Sequence, residues 1–179
     1  MYKYLTLLFM SLSILTACET KPQKPEVKTA ALKSKKSLDL SSKILPSEAV
    51  LAQYIQIKDA MVADDFEKTT TSLEAYIDII GTAKEAGLTP EAMEVLDRIA
   101  SLVDSMKSMD FETQRLTFIE LTQALVDWQS HSPSKEKLYL QYCPMYKGGN
   151  YWLSMESQVL NPYYGSKMLR CGVVEKELN

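Results

Sequence analysis

The chain is predicted to be mainly α: an antiparallel four-helix up-and-down bundle followed by a small, irregular, β-containing C-terminal tail. Three observations predict it. Four segments between residues 47 and 132 carry apolar residues at helical spacing and are joined by short connections. Thr89-Pro90-Glu91 and Asp110 are helix-start signals at the right places. After Pro133 the texture changes to alternating β-favouring residues broken by glycines and prolines.

With 179 residues and 46% hydrophobic content, one domain with a real core is expected. The first 17 residues read as a secretory signal: Lys3, an apolar run through Leu15, then Leu15-Thr16-Ala17-Cys18. Those last four match the bacterial lipobox, which makes Cys18 the lipidated N-terminus of the mature chain. Stable attachment needs more than one acyl chain, and a lipoprotein cysteine carries two or three. The expected location is the cell envelope, periplasm-facing and anchored to a membrane by lipid. There, disulfides are permitted and nucleic acid is not a partner.

Residues 18–46 read as a basic tether. Seven lysines stand against three acids, with Pro22, Pro25 and few large apolar residues. Such a composition buries too little surface to offset its ordering entropy and suits anionic headgroups. Residues 47–179 form the body, with 12 basic and 20 acidic residues. An acidic body favours cations over anions.

The first helix is expected from Ser47 to about Ala63, its face formed by Val50, Tyr54, Ile57 and Met61. Asp64 and Asp65 break it. The second runs from Phe66 to Lys84, with Phe66, Leu73, Tyr76 or Ile77, and Ile80 facing the core. The third starts at Pro90, with Met93, Leu96, Ile99 or Ala100, Val103 and Met106 or Lys107 at helical spacing. The fourth follows Asp110, with Phe111, Arg115 or Leu116, Phe118 or Ile119, Leu125 and Trp128 on its stripe, and ends before Pro133. Methionines at such spacing are core filler in the first instance. In the tail, strands are expected at 137–142 and from Cys171 to Glu175, with Tyr151-Trp152-Leu153 a second strand or an aromatic lid, all packed on one end of the bundle.

The chemistry-bearing residues gather in that tail. Cys143, Met145, Met168 and Cys171 are soft-ligand candidates, with His131, the single histidine, just upstream. Thiolate and thioether sulfurs select Cu(I), and Ag(I) by the same softness. Three other readings stand beside this one. Cys143 and Cys171 form a structural disulfide closing a loop of about thirty residues; Met145 and Met168 pack beside Trp152; His131 caps the fourth helix. No enzyme is expected. A lone histidine and the absence of a glycine-rich phosphate loop leave only a Cys143–His131 nucleophilic pair to consider.

Tyr142-Cys-Pro-Met145, Trp152-Leu-Ser154, Asn161-Pro-Tyr-Tyr-Gly165 and Met168-Leu-Arg-Cys-Gly172 resemble the signature of a bacterial envelope domain family of unknown function. That domain occurs as small lipoproteins and fused to adaptors of CusB-like copper/silver efflux systems. Tyr54 to Asp65 resembles its first helix. The resemblance implies a helical domain with a sulfur-bearing tail, a role in copper tolerance or efflux, and a periplasmic efflux adaptor as partner. The positions it matches are His131, Cys143, Met145, Met168 and Cys171. The chain departs from the pattern at Tyr146, where relatives carry a small residue, and in a shorter loop before Trp152.

Overall fold

A computed structural model describes residues 45–178. The signal, Cys18 and the tether lie outside the described residues. Four helices come first: α1 (Pro46–Val62), α2 (Phe66–Lys84), α3 (Pro90–Met106) and α4 (Phe111–His131). Three strands follow: β1 (Leu138–Cys143), β2 (Asn150–Ser154) and β3 (Val173–Leu178), with a 3-10 turn at Gly165–Met168.

The helix boundaries follow from local chemistry. The side chains of Asp65, Thr89 and Asp110 accept from Lys68 N, Ala92 N and Thr113 N, satisfying amides that the first turn leaves unpaired. Pro46 and Pro90 stand in first turns, where no amide donor is needed. The expected stripe of α1 is fully buried: Val50, Tyr54, Ile57 and Met61 all have 0% exposure. Leu51, Ile55 and Ala60 on its other side are buried too. A helix apolar on so many sides must be covered on all of them.

That requirement explains the tail. Consecutive helices pack on one another, but α1 and α4 touch only sparingly. The tail fills that fourth side rather than capping one end of the bundle, as the sequence suggested. At one extreme Lys135 N donates to Glu48 Oε1 in the first turn of α1, at 3.1 Å. At the other, Ser166 N donates to Asp64 Oδ2, just beyond the last turn, at 2.8 Å. Midway, the Tyr54 hydroxyl accepts from Leu153 N at 3.1 Å and pairs with Thr122 Oγ1 at 2.8 Å.

The sheet is antiparallel, in the order β2-β1-β3. Tyr142 faces Tyr151 and Cys143 faces Asn150 across the β1–β2 hairpin. The last strand starts at Val173, so Cys171 precedes it rather than belonging to it. Phe66 is a correction: it is 46% exposed, not buried. It is the first residue of α2, and helix side chains lean toward the N-terminus, so it projects past the core, 5.7 Å from the Phe111 ring. Among the described residues no helix is long and apolar enough to cross a membrane.

Candidate functional site: a buried cysteine pair and its supports

Cys143 ends β1 and is fully buried; Cys171 follows the 3-10 turn and is half-buried. Their sulfurs are 3.2 Å apart across 28 residues of chain, and both are free thiols. Three local features hold Cys171 in place. Its amide donates to the Met168 carbonyl at 3.0 Å. Its carbonyl accepts from Asn161 Nδ2 at 2.7 Å. Gly172 beside it has φ +145°, and a Cβ there would stand 2.7 Å from the Tyr142 carbonyl and 2.9 Å from the Trp152 ring. Only glycine lets the two strands' chains approach so closely.

Asn161 is the organiser of the loop before Cys171. It is fully buried, and its Oδ1 accepts from Tyr163 N and Tyr164 N at 2.8 and 3.2 Å. Its backbone is bonded to Leu169 and Gly165. Tyr163 in turn packs its ring on Phe118 of α4, on Trp152 and on Tyr146.

The 3.2 Å separation decides what the pair can do. A covalent S–S bond is about 2.05 Å, so closure needs an approach of roughly 1.1 Å. Two thiolates sharing one ion at ~2.3 Å each stand about 3.8 Å apart in a tetrahedral site and about 4.6 Å apart in a linear one. Metal capture therefore needs a comparable opening. The hydrogen bond between Cys171 and Cys143, then burial, push the Cys171 thiol above its ordinary value. A metal must displace that proton, so capture strengthens as pH rises. Oxidation of the pair is expected to raise unfolding free energy by about 3–4 kcal/mol for a loop of this length. Urea unfolding with and without reductant measures it, and equal midpoints would refute the closure.

The other sequence-selected residues are placed differently. Met168 closes the 3-10 turn beneath Cys171, its carbonyl receiving the Cys171 amide. Met145, two residues past Cys143, is 61% exposed. His131 stands in the last turn of α4, its Nε2 3.6 Å from Asp127 Oδ1. It lines a surface cleft with Glu91, Glu94, Val95, Arg98 and Asp127. That is thirteen residues along α4 from Phe118, where the cysteine end of the tail docks, or roughly 20 Å at 1.5 Å per residue. The structure brings the two cysteines together and leaves the histidine elsewhere. Among the described residues no group of three or more His, Cys, Asp and Glu side chains is arranged to hold a metal.

Sequence reasoning missed the knot that fixes the tail. Arg115 of α4 is 3% exposed. It donates to the Met61 carbonyl at 2.9 Å, to Asp64 Oδ1 at 2.6 Å and to the Pro162 carbonyl. Its guanidinium covers the Phe111 ring at 4.3 Å. The available signal was an arginine on a stripe of otherwise apolar residues.

Residues 50–137 match the model of a family described as a protein of unknown function, DUF3347. The match spans nearly all of the four helices and stops just before β1, so both cysteines lie beyond it. Neither a curated protein nor a solved structure matches the chain.

Proposed function

We propose that this chain is a lipid-anchored protein of the cell envelope whose tail captures Cu(I) or Ag(I) through Cys143 and Cys171, in copper tolerance or efflux. The observation that carries the reading is the 3.2 Å approach of the two sulfurs, one buried and one reachable from solvent. Soft thiolates select soft monovalent ions over the hard cations around them. Met168 is three residues before Cys171 and its carbonyl accepts the Cys171 amide, and the exposed Met145, two residues after Cys143, offers a second thioether. The lipobox pattern ending at Cys18 and the resemblance of the tail motifs to domains fused to CusB-like adaptors support the compartment and the partner in this reading: the ion is cargo, passed to a periplasmic efflux adaptor.

The test is a Cu(I) titration of the full chain against a competing chelator, reduced and oxidised. Tight one-to-one binding is expected only in the reduced form. The double variant Cys143→Ser, Cys171→Ser is expected to lose on the order of 100-fold or more in affinity, since even outer-shell partners are worth 10–100-fold. Unchanged affinity in the double variant would sink the proposal.

A second reading is favoured by the complete burial of Cys143 and by the placement of His131 away from the pair. In it the cysteines form a structural disulfide, and the clamped tail is a protein-interaction module of an efflux or envelope complex. A pair that stays oxidised in cells and binds no metal when reduced would decide for this reading.

A further inference from the structure

A cleft of about 380 Å³ opens where the Pro144–Tyr146 turn, the Tyr163–Tyr164 loop and the first turn of α4 meet. Asp64, Phe111, Glu112, Arg115, Tyr146, Tyr163, Tyr164 and Lys167 line it. Its walls are aromatic and ordered. Tyr146 stacks on Tyr163 at 4.5 Å with planes 13° apart, and meets Tyr164 edge-on at 5.4 Å.

The polar groups inside are two carboxylates, Asp64 and Glu112, two cations, Arg115 and Lys167, and the tyrosine hydroxyls. Tyr146 is 5% exposed, and its buried hydroxyl has no hydrogen-bond partner among the described residues. An unpaired buried hydroxyl is unfavourable, and an acceptor brought by a ligand would repair it. The charges that act on this phenol come from Glu112 and Arg115, and Tyr164 acts on it too. All three line the cleft, as Tyr146 itself does. Burial first, then Glu112, push the phenol up to about 12, so it stays a donor. Arg115 has five N–H groups, of which three are engaged with Met61, Asp64 and Pro162. Both Asp64 oxygens are already taken, by Arg115 and by Ser166 N. Among the described residues neither Lys167 at the rim nor Glu112 forms an ion pair, and both are exposed. A partnerless buried hydroxyl beside a guanidinium with N–H groups to spare, behind flat aromatic walls, suits an anionic oxygen head on a planar body.

We infer that this cleft binds a small planar or aromatic carboxylate, with Tyr146 and Arg115 donating to the carboxylate and Lys167 supplying the opposing charge at the mouth. The site is separate from the cysteine pair and does not depend on metal capture.

Isothermal titration of the full chain with phenylacetate, phenylacetamide and phenethylammonium tests it. Phenylacetate is expected to bind saturably, the neutral amide about ten-fold more weakly, and the ammonium not at all. Tyr146→Phe removes one oxygen and keeps the stacked ring; it is expected to weaken phenylacetate about ten-fold, the worth of one hydrogen bond to a charged group. Lys167→Ala, an exposed change that leaves the fold alone, is expected to weaken it two- to five-fold and carries the test if the phenylalanine variant melts early. No saturable binding of phenylacetate, an ammonium probe that binds as well, or undiminished binding by both variants would overturn the assignment.

Discussion

Replacing Arg115 by methionine is expected to cost about 3 kcal/mol of unfolding free energy, mostly from buried acceptors at about 1–3 kcal/mol each, with less from the ion pair to the partly exposed Asp64. Methionine fills much of the same volume, so the loss is not a cavity effect. It comes from three acceptors: the Met61 carbonyl at the end of α1, the Pro162 carbonyl in the tail loop, and the Asp64 carboxylate. Each loses the Arg115 donor at once, leaving, among the described residues, the Met61 carbonyl only Asp64 N and the Asp64 carboxylate only Ser166. Asp64 itself sits at φ +57°, a conformation that L residues adopt reluctantly, and it holds Ser166 N as well as Arg115. A Cβ at Gly165 would come within 2.0 Å of its Oδ1, so glycine there is what admits the carboxylate.

The same knot fixes a sign in acid. Burial acts to raise the Asp64 carboxyl, but hydrogen bonds from Ser166 and the Arg115 charge outweigh it and hold it below the ordinary 3.8. A depressed folded value contributes stability that is whole above the unfolded value and is lost as pH falls through the folded one. Chemical denaturation of the parent and Arg115→Met at neutral pH and in acid checks both points. The gap between them should narrow as pH drops below about 4. A gap under about 1 kcal/mol at neutral pH would show that the knot contributes little.

Trp152→Ala is expected to cost a further order of the same size, about 3–5 kcal/mol. Trp152 is fully buried in β2, and its ring stands edge-on to Tyr163 at 5.9 Å. It fills the space between the sheet, the Tyr163 loop and the glycine beside Cys171. Its indole nitrogen, however, has no hydrogen-bond partner among the described residues. Trp152→Phe therefore forfeits volume and no hydrogen bond. A residual void of roughly 40 Å³ at about 24 cal/mol per Å³ costs about 1 kcal/mol. Urea midpoints of the two variants give the comparison. Equal losses for Ala and Phe would mean that the indole nitrogen matters after all. Because Trp152 props the Cys171 segment, Trp152→Ala should also slow oxidation of the cysteine pair, measured by thiol labelling.

The four helices were legible because their signals are short. A capping oxygen reaches an amide three residues away, and a stripe repeats within one turn, so Asp65, Thr89 and Asp110 announce their helices in the sequence itself. The three strands of the tail were legible in outline for the same reason. Phe66 misled because periodicity describes a face and not how far along the core that face extends. The two cysteines were legible as chemistry, but two sulfurs 28 residues apart carry no local statement of their distance.

Residue types and their spacing thus determined the helical class, the tail's strands and the set of soft ligands worth considering. Tertiary packing alone decided which of those ligands meet. It joined Cys143 to Cys171, left His131 on a separate cleft with Glu91 and Asp127, and buried Arg115 where the pattern asked for an apolar side chain. It also laid the tail along α1 instead of over its end. The physical reason is common to all four. Each depends on contacts between residues far apart in the chain, whose formation is set by filling space around a helix buried over most of its circumference.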